Sequence, residues 1–285
     1  MQKINFVRIA KYPAPVRLSI FILTLLALWL PLAAPIYAWG GDPNLVSIIT
    51  LVLLYGEFIF LVRFWGDRVY NQPQVLRSYG LVKTRRNVRE LLIGLGIGLI
   101  AVLSLFSLQG WFGWLVWQEN ASLPKIILEG LLSAIAVGFA EELLFRGWLL
   151  DELQRDYRPN VVLWATTLIF AALHFIKPLP DMLRTAPQFP GLILLGLTLV
   201  WAKRSSKNRL GLPIGIHAGL IWGYYIINVG QLIKYSGRVP DWITGVNQNP
   251  LAGVAGIVFL SAIAVAMRKR SRFQLRNQSQ AKPLS

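Results

Sequence analysis

The sequence predicts an all-α fold, a polytopic transmembrane helical bundle of about eight spans with both termini cytoplasmic. Three observations predict it. The 285-residue chain is 55% hydrophobic and only 15% charged, where a soluble domain averages about 25% charged residues. Apolar runs of about twenty residues, the length a bilayer-spanning helix needs, recur along the chain. The basic residues fall on alternate connections between those runs. Stretches such as Leu18 to Trp29 show no polar–apolar alternation, which excludes a transmembrane barrel.

Taken in order, the runs place spans at roughly 18–39, 45–62, 91–109, 126–150, 161–176, 189–202, 211–233 and 251–267. The first is too long for the apolar part of a signal peptide, and Ile36 breaks the small-residue pattern before a cleavage point after Ala38, so it reads as a span. The sixth is short and needs tilt or support from neighbours. Of the 29 Lys and Arg, 23 fall on the termini and on the 63–90, 151–160 and 203–209 loops. Only Lys125, Lys177, Arg184, Lys234 and Arg238 fall on the other loops, and Arg146 lies within a span. Basic loops stay in the cytoplasm, and an even span count puts both termini there as well. The expected location is the plasma (inner) membrane. The chain divides into an N-terminal transmembrane region with a basic loop (1–125), a core carrying the chemistry (126–233), and a last span with a basic tail (234–285). That tail, after about Arg268, has the composition of a disordered segment.

The net charge of +16 is accounted for by orientation and by attraction to anionic membrane lipids rather than to nucleic acid. The cluster Arg85, Arg86 and Arg89 fits the same account. The aromatic segment Trp111 to Trp117 suits the headgroup region. There is no cysteine, so disulfides, thiolate nucleophiles and Cys-based zinc sites are excluded. Gly94 and Gly98, and Gly211, Gly215, Gly219 and Gly223, recur every four residues, a spacing that lets helix backbones approach closely in a bilayer.

Ionisable groups inside a bilayer cost about 2.5–3.5 kcal/mol each, so those in the spans need a reason. The fourth span contains Glu141, Glu142 and Arg146. Residues four apart share a helix face, so Arg146 compensates Glu142. Glu141 points about 100° away and stays available to exchange a proton with water. A purely structural ion pair explains Glu142 and Arg146 but not Glu141. Gly138, three residues before Glu141, leaves room beside it. The two histidines, His174 and His217, both fall in spans, about 20 and 9 Å from the cytoplasmic helix starts, with Glu141 between. One cytoplasm-facing cavity gathers all three, and Phe170, four before His174, walls it or serves as core. His217 lies about 200° from Gly215 and Gly219, so the glycines face a neighbouring helix while His217 faces the cavity. Elsewhere, Glu57 near Arg63 reads as a local structural group, and Glu129 reaches interfacial water.

Hydrolysis within a membrane has few chemical solutions. No glycine is followed two places later by serine, so the usual serine nucleophile motif is missing. There is no His-Glu-x-x-His and no aspartate within a predicted span. A glutamate with two histidines remains.

Glu141-Glu142-x-x-x-Arg146, Phe170-x-x-x-His174, and His217 after Leu212-Pro-Ile-Gly-Ile resemble the CPBP family of type II CAAX prenyl endopeptidases, Abi proteins and bacteriocin-processing proteins. The motifs cover about residues 126–233. The resemblance implies an eight-helix intramembrane protease with a cavity open to the cytoplasm. It implies that Glu141 and His174 activate water, that Glu142 and Arg146 hold the site, and that His217 stabilises the oxyanion. It leaves two chemistries open. Glu141, His174 and His217 hold zinc with water in the open position, or act metal-free as base and donors. The family commonly carries a polar residue four after the last histidine, where this chain has Ile221. Asn228 shares that face but lies about 16 Å from His217, and Tyr224 is seven residues on.

The expected partners are membrane lipids and a peptide or lipidated peptide substrate, with no nucleic acid. A membrane scaffold or regulator of the same fold, without activity, is the alternative that Ile221 favours. A proton-relaying transporter is a third, against which the lack of an internal repeat counts.

Overall fold

The computed structural model describes residues 6–280. The helices are α1 (Ala14–Trp39), α2 (Pro43–Arg68), α3 (Val75–Ser78), α4 (Arg85–Trp111), α5 (Leu123–Glu142), α6 (Leu150–Gln154), α7 (Pro159–Leu173), α8 (Leu179–Thr185), α9 (Phe189–Ser205), α10 (Gly211–Asn228), α11 (Asp241–Thr244) and α12 (Val254–Gln280). Between α5 and α6 the helix continues as a π segment, Leu143–Leu149. Strands β1 (Leu115–Trp117) and β2 (Ile233–Tyr235) form an antiparallel pair, with Val116 opposite Lys234.

The protein is a multi-pass helical membrane protein. Five helical stretches, Ala14–Trp39, Pro43–Arg68, Arg85–Trp111, Leu123–Gln154 and Leu179–Ser205, are long and apolar enough to cross a membrane. Helices also occupy the other three predicted spans, as α7, α10 and α12. The short sixth span is supported as expected: half of its most apolar window is buried, a larger share than in any of the other four.

Two compact units follow different lines from the three-part division of the sequence. One is the chain through Tyr79 together with Asp151–Arg158, and the other is Gly80–Leu150 with Pro159 onward. In the first unit, α1 and α2 are joined by a short turn that Asp42 caps by accepting from the Leu45 amide. Phe21 meets Phe58 and Trp65 edge-on. Arg17, 2% exposed, pairs with Glu152 and Asp156. The Tyr70 hydroxyl donates to both Glu152 oxygens at 2.8 and 2.7 Å. Burial, reinforced by the Glu152 carboxylate, pushes the Tyr70 phenol up, so it remains a donor. No ion pair joins Glu57 to Arg63 among the described residues.

In the second unit, α10 lies in backbone contact with α4. A Cβ on Gly215 would stand 2.1 Å from the Leu91 carbonyl oxygen, and one on Gly94 would stand 2.5 Å from that of Leu212. Glycines on both helices therefore permit one approach, as small residues do between helices in lipid. The opposite face of α10 packs on α5. Glu90, buried in α4, pairs with Arg209 just before α10 and ties the same two elements. This packing is why residues 85–111 join the core rather than an N-terminal region. A second departure is the basic tail: α12 runs on to Gln280, burying Met267 and Ser271, because Arg, Lys and Gln are good helix formers.

Gly215→Ala is expected to destabilise the protein by about 1–3 kcal/mol through overpacking. Gly96→Ala, where a Cβ meets nothing within 4 Å, is expected to leave the unfolding midpoint in detergent unchanged or slightly raised.

Candidate active site

The ionisable residues singled out in the sequence converge where α5, the π segment, α7 and α10 meet. Glu142, the last residue of α5, is fully buried. Its Oε1 accepts from Arg146 Nη1 at 2.8 Å and lies 2.9 Å from His217 Nδ1. Arg146 is 1% exposed. It also donates from Nη2 to the Gly196 carbonyl at 3.3 Å, and its guanidinium sits 4.3 Å above the Phe170 ring. A buried guanidinium thus meets a carboxylate, a carbonyl and an aromatic face, the surroundings that planar Arg suits.

Glu141 is placed differently, as the 100° offset predicts. It is 28% exposed, and its Oε2 has no hydrogen-bond partner. That oxygen lies 3.9 Å from His174 Nε2 and 3.8 Å from His217 Nε2. Each histidine is fixed through its other nitrogen. His174 Nδ1 is 2.8 Å from the Phe170 carbonyl, which can only accept, so Nδ1 carries the hydrogen. His217 Nδ1 faces the Glu142 carboxylate and donates likewise. In the neutral tautomers, both Nε2 atoms present lone pairs toward Glu141. Each imidazole Nε2 therefore stands from the Glu141 oxygen at a separation too long for a direct hydrogen bond and right for one bridging water.

The spacing also tests the metal reading. A zinc ion at about 2.0–2.1 Å from three donors in tetrahedral geometry would hold them about 3.3 Å apart. The carboxylate-to-imidazole separations are wider, and among the described residues no group of three or more His, Asp and Glu is arranged to hold a metal ion. The donors present therefore do not fit a zinc ion, and the chemistry below runs through water.

Two supporting residues do other work than the spacing suggested. A Cβ on Gly138 would meet Ala218 Cβ and N at 3.1 Å and the Ile214 carbonyl oxygen at 3.2 Å. Gly138 thus makes room for α10, not for a group beside Glu141. Phe170 is fully buried, edge-on to Phe145 and His174 with ring centroids 5.1 and 4.6 Å away. It is a platform beneath Arg146 and His174 rather than a cavity wall.

A cavity of about 260 Å³ opens from Glu141, His174 and His217. Its walls are mostly apolar, from the second halves of α4 and α10 and the first halves of α9 and α12, with Gln188 and Asn249 as polar exceptions. Ile221 lines it, and so does Tyr224, which reaches it despite lying two turns beyond His217. Asn228 does not; it lines a separate polar basin. The cavity extends away from the basic starts of α4 and α10 and the basic ends of α9 and α12.

Sequence reasoning missed the Gly196 carbonyl and the π segment. The i+4 spacing of Glu142 and Arg146 reads as an ordinary α-helical pair, and nothing in the composition of Leu143–Leu149 marks a wider turn.

Residues 123–223 match the model of the type II CAAX prenyl endopeptidase Rce1-like family, and that segment holds Glu141, Glu142, Arg146, His174 and His217. A protein of Bacillus subtilis (strain 168), the uncharacterized protein YpbD, is 34% identical over 144 residues, covering 46% of this chain and 65% of the relative. The chain thus spans just under two thirds of that relative's length. No solved structure matches the chain.

Removing one member of a buried ion pair strands the other, at about 3–5 kcal/mol. Arg146→Met is expected to lower stability by that amount. Adding Glu142→Gln should recover part of the loss in denaturation of the double variant.

Proposed function

We propose, from the premise that residues 123–223 form a domain of the type II CAAX prenyl endopeptidase Rce1-like family, that this protein is an intramembrane endopeptidase using Glu141 and His174 to activate water. The observation that carries the reading is the unpartnered Glu141 oxygen, held 3.8–3.9 Å from two imidazole nitrogens at the floor of a cavity. One water there is within reach of both Glu141 Oε2 and His174 Nε2, which stand 3.9 Å apart. As it attacks a peptide carbonyl, Glu141 takes its proton and passes it to the leaving amine, the ordinary duty of a general base that becomes an acid. His174, held by the Phe170 carbonyl, accepts the water's second hydrogen bond and orients its lone pair.

His217 serves the developing oxyanion. It acts as the doubly protonated ring, its second proton taken from solvent before the attack and kept through the cycle; Nε2 donates to the oxyanion, and the Glu142 carboxylate beside Nδ1 offsets the charge. Arg146 holds Glu142 in place and touches no substrate. Its fully buried position closes the floor against water from that side.

Ile221 on the cavity wall favours a second reading, a scaffold of the same fold without activity. A missing oxyanion donor costs about 10²–10³ in rate.

Proteolysis of a membrane-peptide library in detergent separates the readings. Glu141→Gln is expected to lower cleavage by at least about 10² while leaving the unfolding midpoint near that of the wild type, because Glu141 Oε2 makes no hydrogen bond that the change would break. Equal cleavage by both proteins would remove Glu141 from the mechanism, and no cleavage by either would support the scaffold. Chelators are expected to leave the rate unchanged, and zinc-dependent cleavage would contradict the water-only chemistry. Ile221→Asn is expected to raise the rate by supplying a donor to the wall.

A further inference from the structure

We infer that one face of α2 holds an anionic phospholipid, its phosphate on Arg63 and Arg68 and an acyl chain laid along the helix toward Gly56. The site lies wholly within the first compact unit and does not rest on the protease reading.

A groove of about 560 Å³ runs along α2. All its lining residues but Pro73 fall between Gly56 and Arg68, at the three- and four-residue spacing that one helix face repeats. That stretch is about 18 Å long. Its chemistry changes from end to end. Gly56 is exposed, and a Cβ there would meet nothing within 4 Å. Ile59, Phe60 and Phe64 follow, with Phe60 64% exposed. Phe6, in the short 3-10 helix before α1, packs edge-on against Phe64 with ring centroids 5.5 Å apart. The far end carries Arg63 and Arg68, with Asp67.

Three observations select the occupant. First, α2 is long and apolar enough to cross a membrane, so its exposed apolar face meets lipid rather than water. Second, the arginines are not spent on carboxylates. Arg63 makes no ion pair among the described residues, and Arg68 pairs with Asp67 at 3.4 Å with both side chains more than half exposed. Such a pair contributes little and yields to a phosphodiester, which suits the planar guanidinium fork. Third, two arginines against one aspartate leave this end of the groove cationic. A zwitterionic headgroup would bring its own cation to the arginines, and an anionic one brings none. A second copy inserted the same way round would set its Arg63 and Arg68 against these, like against like. Diffuse attraction of basic residues to an anionic surface needs no groove, and that difference supplies the test.

The full chain, delipidated in detergent, would be given dioleoyl phosphatidylglycerol or dioleoyl phosphatidylcholine and weighed by native mass spectrometry, with unfolding midpoints read on the same samples. The wild type is expected to retain a single phosphatidylglycerol, in preference to phosphatidylcholine by at least about fivefold. Gly56→Leu fills the open end of the groove, alters no charge and replaces a glycine inside a helix. It is expected to keep the lipid-free midpoint and lose the bound lipid. Arg63→Gln is expected to weaken phosphatidylglycerol retention about fivefold, the share of one basic residue. Arg85→Gln, outside the groove, is expected to change nothing. Wild-type retention by Gly56→Leu, or an effect of Arg85→Gln equal to that of Arg63→Gln, overturns the inference in favour of diffuse attraction. Equal retention of the two lipids, or of neither, overturns it as well. So does a wild-type dimer that Gly56→Leu dissociates, which gives the face to a second copy.

Discussion

Everything at this site depends on compensating one buried carboxylate. Glu142 has no exposure, and an uncompensated charge in that position would cost several kcal/mol. The chain meets the demand twice, with Arg146 from the same helix and His217 from a helix 75 residues on. The first contact is local and forms with the helix. The second is long-range and fixes how α10 turns against α5. Because His217 spends Nδ1 on Glu142, its Nε2 has one direction left, toward Glu141. The reactive geometry is therefore a by-product of neutralising a neighbour, and Glu141 itself needs no partner to be placed.

The α4–α10 contact makes that rotation of α10 possible. Glycine carbonyl-to-Cα approaches leave no slack for the helix to roll, since any side chain on Gly211, Gly215 or Gly219 would enter the α4 backbone. Backbone contact on one face thus sets the aim of a side chain on the other. A bilayer offers little hydrophobic force between helices, so shape must supply the specificity.

Much of this was legible from residue spacing. The offset between Glu141 and Glu142 separated a buried ion pair from a half-exposed carboxylate, and the four-residue glycine repeat foretold a close helix contact with His217 on the far side. Other features have no local signature. The two-stranded β1–β2 pair joins residues 115 and 235, far apart in sequence and short enough to escape any periodicity. Gly138 reads the same whether it makes room for a substrate or for Ala218. Phe170 gives equal signals as wall or as platform. The direction of the cavity depends on which halves of four helices face one another, and span assignment alone carries no such information.

The π segment Leu143–Leu149 has a consequence for comparing this chain with others. A wider turn holds one residue more than an α-helical turn would, so a relative lacking that residue could keep every helix and every motif letter while rotating all that follows. Counting letters between Glu142 and Arg146 would then pair residues that do not occupy equivalent places. Homology across this stretch is better judged by which carbonyl receives the guanidinium, here that of Gly196, than by the interval between two characters.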